Sequence, residues 1–324
     1  MGKYIPDKHL IYLDQFALSR LVTSEPGTIW ERLRQLLEQG VEQEKIIVPY
    51  SLDHSMDSST SNMELAEKED SFLFNLSSGF MFDVEAKIAA KYIMHLVRCK
   101  RIGVTIFKKV ASHKAFGTKE AQEQFAERRA TYERMINEGT SQLNAFRTIT
   151  RDGKKPDKNL VETSLQMLIA NYEQNLVLRL RQYSRYGFYE KRKIEFSFKT
   201  IHFWADVLME LMIGEYQLTK AEAKKAVLLF EREGLKKVMP TQYIRAAIEA
   251  MMMVKQQAEK VNDHVDIIRL CTALPFCDIV LTDKMRLYDV QTMKLDKEFN
   301  TAVYSGTKEQ LALFEEKLTT IVEN

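Results

Sequence analysis

Residues 9–14 read HLIYLD and residues 278–283 read DIVLTD. Each is a short apolar run, rich in branched residues, that closes on an aspartate. Such runs mark strands buried on both faces, the usual condition of a parallel sheet. Outward from the first run, Ile29, Leu33, Leu36 and Leu37 fall at helical spacing within 27–39, and KIIVPY at 45–50 is a second apolar run. Strand, helix and strand in this order predict a βαβ unit with a right-handed crossover.

The second run has similar neighbours. Residues 241–259 and 263–273 are helical in pattern, and NTAVYS at 300–305 reads as a further strand. A last helix over 307–321 opens on Thr307, with Gln310 at capping-box spacing. Between the two ends, 61–240 reads as helix almost throughout. Ala86, Ala90, Ile93 and Val97 share one face; 121–136 is charged and amphipathic; 160–180 and 203–213 are further helices. RDGKKPDKN at 151–159 is the clearest loop. The expected organisation is an α/β core built from 1–60 and 241–324, with a helical insertion over 61–240.

Composition bounds the partners. The 324 residues carry a formal charge of +2, which excludes a dominant polybasic surface and leaves room for a local basic patch beside an acidic pocket. With 12 Gly and 6 Pro the chain has no long linker composition. The three cysteines, Cys99, Cys271 and Cys277, form no CxxC pair and predict buried thiols in a reducing compartment. No apolar stretch near the start resembles a secretory signal and none is long enough to span a bilayer, so a cytoplasmic location without membrane contact is expected. Glycine-rich phosphate loops and a GxSxG elbow are absent, and the six His and three Cys are not clustered at zinc-ligand spacing.

What stands out is acids at strand ends. Asp14 closes the first strand. PYSLDHSMD after the second carries Asp53, His54 and Asp57. NDHVD places Asp263 and Asp266 one turn apart at a helix start, and Asp278 and Asp283 flank the strand DIVLT. Ligands of open parallel sheets bind at the carboxyl ends of the strands, and the pattern delivers acids from four segments to that edge. Gathered carboxylates repel unless a hard divalent ion neutralises them. An ion so held activates water and steadies a leaving oxygen, which is the chemistry of phosphodiester hydrolysis. Each acid also has an ordinary use: Asp14 as a turn or cap residue, Asp53 and Asp263 as helix caps, and Asp278 as a turn residue.

These residues resemble the PIN-domain superfamily, and more closely a bacterial PIN-like branch that carries a long helical insertion. The resemblance rests on YLDQ at 12–15, on Ser51, His54 and Asp57, and on Asn262 with Asp263 and Asp266. It continues through Leu274, Pro275, Phe276, Cys277 and Asp278, and ends at Thr282 and Asp283. It implies a three-layer fold and a nuclease dependent on Mg²⁺ or Mn²⁺, acting on RNA in preference to DNA. By position, the resemblance makes Asp14, Asp57, Asp263, Asp266 and Asp283 the catalytic metal ligands, Asp278 a nearby metal acid, and Ser51, His54 and Thr282 supporting residues. Two positions depart from the pattern: Asp57 stands where the family generally has Glu, and Arg269 where the branch usually has His. Bacterial PIN proteins often act as toxins or in phage defence, so an antitoxin or defence-system partner is a further expectation, as is self-association. The alternatives are an inactive PIN-like binding module and a DNA-directed nuclease.

One more segment bears on partners. LRLRQYSRYGFYEKRKIEFSFK at 178–199 interleaves Arg181, Arg185, Lys191 and Arg192 with Tyr183, Tyr186, Phe188 and Tyr189. Cations hold phosphates while rings stack on unpaired bases. The competing reading is a helix that buries its aromatics and solvates its charges.

Overall fold

The computed structural model describes residues 7–51, 54, 63–100, 106–110, 157–195 and 200–324, with single positions between 123 and 144. In chain order the elements are β1 (His9–Leu13), α1 (Gln15–Val22), α2 (Ile29–Glu42), β2 (Ile46–Ile47), α3 (Met63–Ser77), β3 (Phe80–Phe82) and α4 (Glu85–Val97). There follow β4 (Phe107–Lys109), α5 (Lys158–Tyr186), β5 (Lys193–Glu195), β6 (Thr200–His202), α6 (Trp204–Glu210), a π-helical turn (Leu211–Glu215), α7 (Lys220–Val238) and α8 (Pro240–Val254). The chain ends through α9 (Val261–Ala273), β7 (Ile279–Thr282), α10 (Lys284–Thr292), α11 (Leu295–Phe299), β8 (Ala302–Ser305) and α12 (Lys308–Glu323). Two compact units result. Met1–Asp83, Gly103–Thr131 and Thr272–Asn324 form the first; Val84–Ile102 and Tyr132–Cys271 form the second. The divisions expected at 60/61 and 240/241 lie inside these units, so α3 and the β3–β4 pair go with the first and α8 and most of α9 with the second.

The first unit is α/β, built on a four-stranded parallel sheet of order β2–β1–β7–β8. Both runs that open the sequence are therefore central neighbours, in register from Ile11 opposite Ile279 to Leu13 opposite Leu281. Their apolar continuity follows from position: β1 is buried from Leu10 onward and β7 throughout, whereas the edge strand β8 alternates. Ile11, Leu13, Ile279 and Leu281 meet Leu33 and Leu37 of α2 and Phe314 and Leu318 of α12 in one core. Each such side chain stabilises the fold by about 1.5–3 kcal/mol. Gly40 lets α2 approach the sheet, since a Cβ there would lie 2.3 Å from the Ile46 Cδ1. Thr307 caps α12 by accepting from the Gln310 N–H at 3.4 Å, as the spacing predicts.

The expectation of almost pure helix over 61–240 needs correction. β3 and β4 pair antiparallel, and Tyr50 bridges in parallel to Met81, so β3 lies beside the chain just after β2. β5 and β6 form a second antiparallel pair. Strands of three residues are too short for alternation to register. The β3–β4 pair is held by ring contacts, with Phe107 4.8 Å from Phe82 and 5.8 Å from Phe80.

In the second unit the 29-residue α5 packs on α7 and α8. A full capping box between Thr219 and Glu222 starts α7, and Gly234 (φ 71°) kinks it. The Leu235 N–H released by the kink donates to the Glu173 Oε1 at 2.5 Å. Two ion pairs are buried here, Arg179 with Asp206 and Arg245 with Glu85. Cys271 and Cys277 are buried and burial raises both thiols, whereas Cys99 is exposed, against the expectation of three buried thiols. Among the described residues no helix is long and apolar enough to cross a membrane.

Candidate active site at the carboxyl edge of the sheet

Asp14 and Asp283 each follow directly on a central strand, and each is the N-cap of the next helix. The Asp14 N–H donates to the Leu281 carbonyl at 2.9 Å, which sets the two strand ends level. The Asp14 Oδ1 accepts from the Gln15 N–H at 2.8 Å. The Asp283 Oδ1 accepts from Met285 N–H at 2.6 Å and Arg286 N–H at 3.1 Å, which leaves Oδ2 without a partner among the described residues. The N-termini of α1 and α10 thus face the same edge, and their partial positive charge favours anionic side chains. Two carboxylates on adjacent strands are thus each seated by backbone N–H groups at a helix start.

His54 supports this edge without facing it. Its side chain is buried, and the Ser51 N–H donates to Nδ1 at 3.2 Å. Nε2 must then carry the proton, which it donates to the Leu13 carbonyl at 2.8 Å. The imidazole, tilted against Tyr12 and Tyr50, fixes the residue before Asp14. Ser51 Oγ lies 3.2 Å from the same Nδ1. Thr282 is the buried last residue of β7, opposite Ser305.

Sequence reasoning missed Glu69. It is 1% exposed on α3 and accepts from Gln15 Nε2 at 2.7 Å and from Ser19 Oγ. A third carboxylate therefore rests against the first turn of α1, one residue beyond Asp14. The signal was present: Ala66, Leu73 and Leu76 form the buried stripe of α3, and Glu69 falls on that stripe at helical spacing. Next to it, Asp70 is 2% exposed and accepts from the Tyr50 hydroxyl at 3.1 Å. Burial, with a smaller contribution from the charge of Glu69, pushes its carboxyl up to about 7.

This has a consequence for stability. The folded state keeps the Asp70 proton to about pH 7, while the unfolded chain releases it near pH 3.9. Between those values the folded state binds more protons, so stability falls as pH rises from about 4 to about 7 and is level above. Three units of difference cap the effect at about 4 kcal/mol. Asp70→Asn, which keeps an acceptor for Tyr50, should unfold at higher urea than wild type at about pH 8 and lose that advantage at about pH 4.5, both in EDTA. An offset between the two proteins that is constant across this range would show that Asp70 is ionised throughout.

Asp278 is not part of the edge. It precedes β7, and its Oδ2 accepts from the Leu10 N–H at 2.9 Å, with His9 Nδ1 at 3.8 Å. At about 3.3 Å per residue it lies some 13 Å or more from the level of Asp14. The expectation that it joins the metal acids is corrected: an acid before a parallel strand sits at the amino edge, where it ties the start of β7 to β1.

Asp263 and Asp266 lie in the second unit, on α9. The Asp263 Oδ2 accepts from the Lys260 N–H at 3.0 Å and its Oδ1 from Gln257 Nε2 at 3.3 Å, a capping role from the first turn rather than from the cap position itself. Asp266 is within 3.5 Å of Arg269 Nη1. Asp53 and Asp57 fall outside the described residues. Among the described residues no three His, Cys, Asp or Glu side chains converge at metal-binding distance. An oxygen-only pair nonetheless matches the donor demand of Mg²⁺, which is usually held by one or two carboxylates, several waters and a substrate phosphate.

The basic segment of the second unit divides. Arg181 pairs with Glu231 at 2.7 Å and Lys191 with Glu210 at 2.6 Å, Arg192 lies over the Phe203 ring, and Arg185 and Tyr186 are exposed. Elsewhere in that unit Glu85, Tyr172, Trp204, Gln242, Arg245 and His264 line a cavity of about 410 Å³.

No family model, curated protein or solved structure matches the chain.

Proposed function

We propose that this protein is an Mg²⁺- or Mn²⁺-dependent nuclease of PIN-like, three-layer organisation that hydrolyses RNA. One observation carries the reading: Asp14 and Asp283 stand level at the carboxyl ends of adjacent parallel strands, each seated by a helix N-terminus. Open parallel sheets bind ligands at that edge. A divalent ion bound there supplies an acidified water and neutralises charge on the leaving oxygen.

The chain's own residues would divide the work. The Asp283 Oδ2 and the Asp14 carboxylate are the donors, both seated by backbone N–H groups and so fixed in direction. Glu69 holds Gln15, and through it the turn that carries Asp14. His54 holds the strand end at Leu13. The resemblance also implies Asp57, Asp263 and Asp266 as acids; Asp278 sits at the amino edge, bonded to Leu10, and is not one of them. RNA as substrate rests on that resemblance, as does an antitoxin or defence-system partner.

A calorimetric Mn²⁺ titration tests the site without any substrate. Asp283→Asn should weaken binding by at least about tenfold, since losing even an outer partner of a metal ligand costs about 10–100-fold. Asp278→Asn should leave it unchanged. Equal Mn²⁺ affinity in wild type and Asp283→Asn would remove this edge as the metal site.

A further inference from the structure

The turn that closes α5 presents two aromatic rings to solvent. Tyr186 and Phe188 are 61% and 68% exposed. Their ring centroids lie 5.7 Å apart with planes inclined by 32°. Between them Gly187 (φ 79°) takes the left-handed conformation that ends the helix, and its N–H donates to the Tyr183 carbonyl at 2.9 Å. The rings therefore project from a fixed turn.

The neighbouring aromatics are used inward, which settles which ones are available. The Tyr183 hydroxyl donates to the Leu218 carbonyl at 3.1 Å. Tyr189 is half-buried, and burial, with the charges of Glu210 and Asp206, pushes its phenol up to about 12. Beyond the turn the chain is anchored. The Arg192 N–H donates to Asp206 Oδ2 at 2.7 Å, and Asp206 is itself paired with the buried Arg179.

Acids and cations of this segment divide into paired and unpaired groups. Glu210 and Glu231 are taken up by Lys191 and Arg181, and Glu190 is the remaining carboxylate of the turn. Arg185 and Lys193 are exposed, and Lys220 lies against Gly187, its Cε 2.8 Å from where a Cβ on that glycine would sit. None of these three cations has an ion-pair partner among the described residues.

We infer that Tyr186 and Phe188, with Arg185, Lys193 and Lys220 around them, form a docking surface for single-stranded nucleic acid. Unpaired bases stack on the two rings while the cations meet the phosphates between them. An exposed aromatic pair on a turn that also carries unpaired cations is complementary to a polyanion with exposed π-faces. A protein partner would instead call for a broader apolar core. The surface shares only its class of partner with the hydrolytic reading. Binding here needs no divalent ion, so the two can fail separately.

The test uses the full chain in EDTA, with fluorescence anisotropy of a labelled single-stranded RNA dodecamer, the matching DNA strand, and the RNA duplex. Wild type should bind RNA or DNA single strands more tightly than the duplex. Tyr186→Ala with Phe188→Ala should weaken single-strand binding at least about tenfold, with an unchanged melting temperature because both rings are exposed. Arg185→Gln with Lys193→Gln should reduce the salt slope by about 1.4, two phosphate contacts' worth. Three results would overturn the inference: wild type that binds no strand, an aromatic double variant that binds as wild type does, or loss of self-association in that variant with nucleic-acid binding intact. The last would make the patch a contact between copies of the chain.

Discussion

Asp14→Asn should abolish Mn²⁺-dependent RNA cleavage, by at least about a thousandfold, while leaving the melting temperature within a few degrees of wild type. The two halves of this result come from different atoms of one side chain. The cap on α1 needs an oxygen that accepts from the Gln15 N–H, and Asn supplies it about as well as Asp. The proposed metal site needs the charge, which Asn lacks. A thousandfold is about 4 kcal/mol of transition-state stabilisation, the scale of losing a ligand at a charged centre. Asp283→Asn should behave alike, since its backbone acceptances from Met285 and Arg286 survive in the amide. Asp14→Ala would be the poorer experiment: it also removes the cap, at about 0.5–2 kcal/mol, and so mixes stability with activity. Asp278→Asn is the internal control. It alters an acid of the same sheet at the opposite edge, where the carboxylate bonds Leu10, and should leave the cleavage rate unchanged. A rate loss for Asp278→Asn equal to that of Asp14→Asn would mean that the edge assignment is wrong.

A large effect on stability should come from Arg245→Met. The guanidinium pairs with Glu85 at 2.7 Å with side chains only 11% and 13% exposed, and Gln242 donates to the other Glu85 oxygen at 2.8 Å. Removing the cation leaves a largely buried carboxylate without its counter-charge, a loss of about 3 kcal/mol, the low end for a buried pair because the site borders a cavity. Neutralising both partners is much milder, because a buried ion pair is worth little over a neutral pair of similar shape. Urea midpoints should therefore fall steeply for Arg245→Met and recover much of the way when Glu85→Gln is added. Additive losses in the double variant would show that the two groups do not act as a pair.

How much of this was legible beforehand follows from what each feature depends on. β1 and β7 were readable because strands buried on both faces write their position as unbroken apolar runs, and the aspartates after them marked the carboxyl edge. Asp278 misled because the same local pattern, an acid beside a strand, means opposite edges before and after it. Glu69 was overlooked because MELAEKEDSFLF reads as a solvated helix unless the charge is noticed on its Ala66–Leu73–Leu76 stripe. β3 through β6 were invisible because three-residue strands have no period to detect. For the Tyr183–Tyr189 stretch the sequence left two readings open, and packing divided them: Tyr183 and Tyr189 turn inward, Tyr186 and Phe188 outward.

The most direct measurement is cleavage of labelled single-stranded RNA by the wild-type chain with Mn²⁺, with Mg²⁺ and with EDTA. Metal-dependent cutting that stops in EDTA, and that DNA of the same sequence supports less well, is the expected result. RNA that is bound but uncut with either ion would contradict the hydrolytic reading and leave a nucleic-acid-binding protein on an α/β scaffold.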